Sequence, residues 1–218
     1  MLYNRQIKMS KKQDEKQNVQ LALFEGPDAP DKVLEYVKSA ALCEEAQVKM
    51  FDLPNILDVL PAYIMHDELC EKAELRMINH PDAIDLIIAY FDGERTLCEN
   101  VQIAMLDLPI AKEVMQIYID YTVGLDDNAE AKFVNMKGNM RLFSEYVDEF
   151  PLVKAGKKAL LTRKNGKTHI LYYIKRYRLD KDEFFMMMEH PDADELVKAY
   201  RFKCDDWVKE FNRKKKKS

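Results

Sequence analysis

The sequence is short of several things that catalysis or membrane insertion needs. Only 6 glycines occur in 218 residues, beside 12 methionines, which argues against glycine-rich phosphate loops and for packed helices. No run of 18 apolar residues is present, and residues 1 to 20 are polar and charged. Neither a membrane span nor a signal peptide is therefore expected, and the cytoplasm is the default compartment. HExxH, paired CxxC and GxSxG are all missing, so the usual zinc, redox and serine-nucleophile signatures are not there. What the chain does have is 47% hydrophobic residues against 33% charged, ample for a buried core.

A repeat organises that composition. Tyrosines stand at Tyr36, Tyr63, Tyr90, Tyr118, Tyr146, Tyr173 and Tyr200, with successive spacings of 27, 27, 28, 28, 27 and 27. A leucine follows six or seven residues behind most of them, at Leu42, Leu69, Leu97, Leu125, Leu152 and Leu179. Nine residues ahead stands a proline in five copies (Pro27, Pro54, Pro81, Pro109, Pro191), and the other two carry Lys137-Gly138 and Asn165-Gly166 at that junction.

Within one unit, Ala73, Met77 and Ile78, and then Ile84, Ile87, Tyr90 and Phe91, have helical spacing and not strand alternation. Each unit reads as helix A, a turn at the proline, helix B and a second turn after the leucine, with the proline at the first position of helix B. Asp126 and Asp180 suit helix caps, the latter with Glu183 as in a capping box, while Cys43, Cys70 and Cys98 take the cap place elsewhere, each followed by glutamate. Helices of about 10 to 12 residues are unstable alone, so the hairpins must stack.

The fold expected is all-α, an α-solenoid of about seven antiparallel two-helix repeats. Its repeats cover 15–41, 42–68, 69–96, 97–124, 125–151, 152–178 and 179–206 as one domain, between a polar lead-in at 1–14 and a basic tail at 207–218. Most features that look chemical recur as repeat positions. The tyrosines share a stripe with Ile56, Val59 and Leu60 and read as core with the hydroxyl at the rim. Met50, Met77, Met105 and Met187 also read as core, and His80 and His190 as helix-end residues before the turn prolines. His66 and His169 have no ligand-spaced partners, so no metal or cofactor is expected.

Charge is the feature the repeat does not absorb. Residues 1–18 carry +3, residues 19–152 carry −16 and residues 153–218 carry +9. The sixth copy holds Lys154, Lys157, Lys158, Arg163, Lys164, Lys167, Lys175, Arg176 and Arg178 with no acid, interleaved with Tyr172, Tyr173 and Tyr177. Such a surface suits a phosphate backbone or an acidic protein segment, and the run Arg213 to Lys217 adds attraction.

The short hairpins with a turn proline and alanine or methionine in helix A resemble HEAT-like α-solenoids. The strings Leu42-Cys43-Glu44-Glu45-Ala46-Gln47 and Leu69-Cys70-Glu71-Lys72-Ala73-Glu74 are similar to short, uncharacterised bacterial helical-repeat proteins. The resemblance implies a binding scaffold and supplies no catalytic residue. The expectation is thus a non-catalytic scaffold that presents its concave face to a macromolecular partner, a protein in the first instance. The alternative is a nucleic-acid-binding module using the sixth copy. A third expectation, from charge alone, is head-to-tail self-association between acidic early copies and the basic end.

Overall fold

The computed structural model describes residues 15–200 and residue 209, and no strand occurs among them. Helix follows helix in short segments. After α1 (15–22) come α2 (Ala29–Val37), α3 (Glu44–Met50), α4 (Ile56–Ile64), α5 (Glu71–Ile78), α6 (Ala83–Asp92) and α7 (Glu99–Met105). These are followed by α8 (Ala111–Asp120), α9 (Asp127–Asn135), α10 (Met140–Glu149), α11 (Lys154–Thr162), α12 (Lys167–Ile174), α13 (Lys181–Met188) and α14 (Ala193–Ala199). The chain is an all-α tandem array of helical hairpins. It divides into two compact units, Met1–Met105 and Leu106–Ser218.

In the first unit the odd-numbered helices pack on one another, α3 on α5 and α5 on α7, and the even-numbered ones do the same, α2 on α4 and α4 on α6. The second unit repeats the plan with α9 on α11 on α13, and α8 on α10 on α12 on α14. Each unit is therefore two layers, A helices and B helices, with the core between them. That core is made of the recurring positions: Met50, Met77, Met105 and Met187 are fully buried, as are Val59 and Leu60 on the stripe of Tyr63. The helices are shorter than their sequence pattern suggests, because the turns take up more of each repeat. They hold only because each buries one face.

The prolines do a different job from the one their spacing suggests. They precede helix B by two residues, and in four copies the N–H of the first helical residue (Ala29, Ala83, Ala111, Ala193) donates to the carbonyl before the proline, at 3.0 to 3.3 Å. Proline is the second residue of a type I turn, where its fixed φ is wanted, and the third residue has matching angles, as at Asp82 with φ −95 and ψ 29. In the fifth copy Gly138 supplies a φ of 65 at this junction, which proline cannot adopt.

The two histidines before prolines complete the turn. Nδ1 of His80 accepts from the Asp82 N–H at 3.1 Å, and Nδ1 of His190 from the Asp192 N–H at 3.0 Å. His190 is buried and its Nε2 lies 3.0 Å from the Arg163 carbonyl. Both lie two residues past the last helical residue, Ile78 or Met188, and so belong to the turn and not to the helix end.

Candidate functional site

The polar groups inside the array form a repeated lock. Gln47 in α3 accepts the N–H of Cys70, the cap of the next A helix, on Oε1 at 2.6 Å. Its Nε2 donates to the Tyr63 hydroxyl at 2.9 Å and the Leu42 carbonyl at 3.2 Å. Gln20 binds Cys43 N–H and the Tyr36 hydroxyl in the same way. In other copies the rung is a carboxylate: Glu74 accepts from Tyr90 and Cys98 N–H, and Glu130 from Tyr146 at 3.2 Å and Val153 N–H at 2.8 Å.

One side chain thus satisfies the orphan amide at the next helix start and ties it to the tyrosine of its own repeat. The tyrosines are core residues, but the hydroxyls of Tyr63, Tyr90 and Tyr146 lie inside this lock and not at the rim. Sequence reasoning passed over the rungs. Their signal is a Gln or Glu sixteen residues ahead of five tyrosines, at Gln20, Gln47, Glu74, Gln102 and Glu130.

The cysteines are caps, as expected: Cys43 and Cys70 hold extended N-cap geometry, and all three thiols are free and half-buried. Burial pushes the Cys98 thiol up to about 11, so it is no nucleophile at neutral pH. Burial likewise raises the Glu74 carboxyl and moves Glu130 up to about 7. His169, expected to lack ligand partners, is buried with Nε2 3.0 Å from Asn139 Oδ1 and its ring against Phe143. Burial, then Arg163, lowers its pKa to about 4, which keeps it neutral.

The sixth copy changes the rung to Lys157, which cannot accept a hydrogen bond. Its ammonium instead meets Glu183 Oε1 at 3.1 Å. The next helix start therefore supplies its own acceptor: Glu183 Oε2 takes the Asp180 N–H at 2.9 Å, and Asp180 Oδ1 takes the Glu183 N–H at 2.8 Å. The capping box expected at Asp180 is present, and it stands where the preceding rung cannot do the work.

The nine cations of the sixth copy do not form one cluster. Arg163 donates to the carbonyls of Val134 and Met136, closing the end of α9. Lys167 pairs with Glu195, with Asp192 at 3.9 Å. Arg176 binds Asp148 at 2.9 Å and lies over the Tyr172 ring at 3.5 Å. Arg178 is exposed beyond the end of α12. Lys154, Lys158, Lys164 and Lys175 are exposed with no anionic partner among the described residues.

Since α11 and α12 are antiparallel, Arg163, Lys164 and Lys167 sit at the turn end of the hairpin. Lys154, Lys175, Arg176 and Arg178 sit at the other, about 13 Å away along a nine-residue helix. The aromatics are engaged too. Tyr172 donates to Asp148 at 2.7 Å, Tyr173 is buried and stacks on Tyr177, and the Tyr177 hydroxyl donates to the Val147 carbonyl. The tail run Arg213 to Lys217 lies outside the described residues.

Among the described residues no group of three or more His, Cys, Asp or Glu is placed to hold a metal, and no helix is long and apolar enough to cross a membrane. Fold and site define the class: a tandem array of two-helix repeats whose interior polar groups are spent on joining one repeat to the next. The comparisons add no narrower identity: no family of known proteins, no curated protein and no solved structure matches the chain.

Proposed function

We propose that this chain is a non-catalytic, HEAT-like helical-repeat scaffold that binds a macromolecular partner, a protein in the first instance, in the cytoplasm. The observation that supports it is the use of the interior groups. Rungs, tyrosines, cap cysteines and turn histidines are each engaged in joining helices, while four lysines of the sixth copy are left exposed and unpaired. Two of these lysines, Lys154 and Lys158, lie within the first five residues of α11, whose first turn holds no acid, and they oppose the helix dipole. A local preference broken without compensation is characteristic of binding surfaces.

Nucleic acid is the second reading, favoured by the same lysines but not by the aromatics, whose rings and hydroxyls are already in use. The two separate by experiment. Lys154, Lys158, Lys164 and Lys175 are changed together to glutamate, and cross-linked partners from the native host are compared with those of the parent. A protein recovered by the parent and lost by the variant supports the scaffold. RNA or DNA binding that falls steeply with salt and is lost in the variant supports the second reading. A parent that captures neither, and sediments as a monomer at low and high salt, overturns both.

A further inference from the structure

The B-helix layer of the first unit carries an apolar face that is exposed among the described residues. On α4 Leu57 is 45% exposed, Met65 just past the helix end is 77% exposed, and Pro61 lies between them at intervals of four residues. Pro61 is inside the helix, where it has no N–H to give the Leu57 carbonyl. Both the exposed apolar column and the interior proline run against what a solvated helix prefers, and they coincide. On the adjoining α6, Ile88 extends the face half-exposed, and on α2 Leu34 does so.

A row of carboxylates borders it. Asp31, Asp58 and Asp85 occupy one position of the repeat on α2, α4 and α6, each next in sequence to an apolar residue, Pro30, Leu57 or Ile84. All three are exposed, and none has a cationic partner among the described residues. Several other surface acids of this unit are paired, Glu44 with Lys72, Asp52 with Arg76 and Glu68 with Arg95, whereas Asp31, Asp58 and Asp85, each in the first turn of its helix, present their charge outward.

We infer that this face docks a basic amphipathic helix of a partner protein, laid across α2, α4 and α6. Its apolar side covers Leu57, Pro61 and Met65, and its lysines or arginines meet Asp31, Asp58 and Asp85. Two interhelix steps span about 20 Å, which a helix of about 14 residues matches. Charge complementarity chooses the occupant, since an acidic segment or a nucleic acid would meet three like charges. The inference rests on the scaffold reading but uses a different surface from the sixth copy.

The test uses the full chain and a fluorescein-labelled peptide of about 18 residues, with leucines at i, i+3, i+4 and i+7 spacing and lysines beside them. Anisotropy should show saturable binding that weakens with salt. Leu57→Glu with Met65→Glu should weaken it at least tenfold, as should Asp31→Lys with Asp58→Lys and Asp85→Lys, and both variants are surface changes that leave the core intact. A peptide with glutamate for lysine should not bind. Equal binding of the two peptides, or no binding by the parent, overturns the inference. So does a parent dimer that the Met65→Glu variant abolishes, since a second copy would then cover the face. Loss of peptide binding with a cross-linked partner still held through Lys154 and Lys158 would remove this site and leave the scaffold standing.

Discussion

Replacing Glu130 by glutamine should stabilise the second unit, increasingly so as the pH rises. The Glu130 carboxylate is 1% exposed, and burial moves it to about 7 against an ordinary value of 4.5, even though bonds from Val153 N–H and Tyr146 pull the other way. A gap of about 2.5 pH units corresponds to about 3 kcal/mol between the two protonation states. The folded pKa is raised, so the contribution to stability is whole below about pH 4.5 and is lost as the pH climbs through about 7. Glutamine cannot ionise, and it has a precedent in the same fold. Gln47 accepts the next cap amide on Oε1 and donates from Nε2 to the tyrosine and to Leu42, whose counterpart beside Glu130 is Leu125.

Urea unfolding of parent and Glu130→Gln between pH 4 and 9 should therefore coincide near pH 4.5 and separate by about 3 kcal/mol above pH 7. The parent alone conceals the effect. His169 in the same unit is lowered to about 4 from 6.5 by burial, so its contribution is whole above pH 6.5 and is lost as the pH falls through about 4. Between roughly pH 4.5 and 6.5 the two slopes have opposite sign and similar size, and they cancel. In the variant only the histidine slope survives, and stability should rise with pH over that range. Parallel curves for the two proteins, or a variant less stable than the parent at pH 8, would refute the account of the buried rung.

Other expectations follow from the same lock. His169 ring carbon signals should stay at their neutral positions from pH 8 down to about 5, measured by NMR. Gly156→Ala should destabilise by about 1 to 3 kcal/mol in thermal unfolding, because a Cβ there collides with the Glu130 carboxylate. Gln47→Ala strips partners from Cys70 N–H and Tyr63 in the core and should cost about 1 to 3 kcal/mol, with faster hydrogen exchange at the Cys70 amide. Asp180→Ala should cost about 1 kcal/mol in thermal unfolding, since the Glu183 N–H loses its side-chain acceptor and the capping box is broken.

The fold was legible because identical residues recur at one spacing: a tyrosine returning at a nearly constant interval needs no three-dimensional information to be seen. The rungs recur at one spacing in five copies but are glutamine in three and glutamate in two, and no residue-type search joins two kinds of side chain that share only an acceptor oxygen. The prolines show the opposite limit. Their spacing marks the junction, but whether proline is the first helical residue or the second turn residue depends on backbone angles that both placements satisfy at φ.

The sixth copy looks different in the structure for a reason that belongs to repeats. Within its own span, 152–178, it has no acid, and read alone it is a basic groove. In a stacked array, however, the surface neighbours of a residue lie about one repeat away as well as three or four residues away. Arg176 finds Asp148 at a separation of 28, Arg163 finds the end of α9 at 29 and 27, and Lys157 and Lys167 find Glu183 and Glu195 in the seventh copy. Charge in such a chain has to be summed across three successive copies before any of it is assigned to a ligand. By that rule Lys154, Lys158, Lys164 and Lys175 remain exposed without an anionic partner among the described residues, and Asp31, Asp58 and Asp85 without a cationic one.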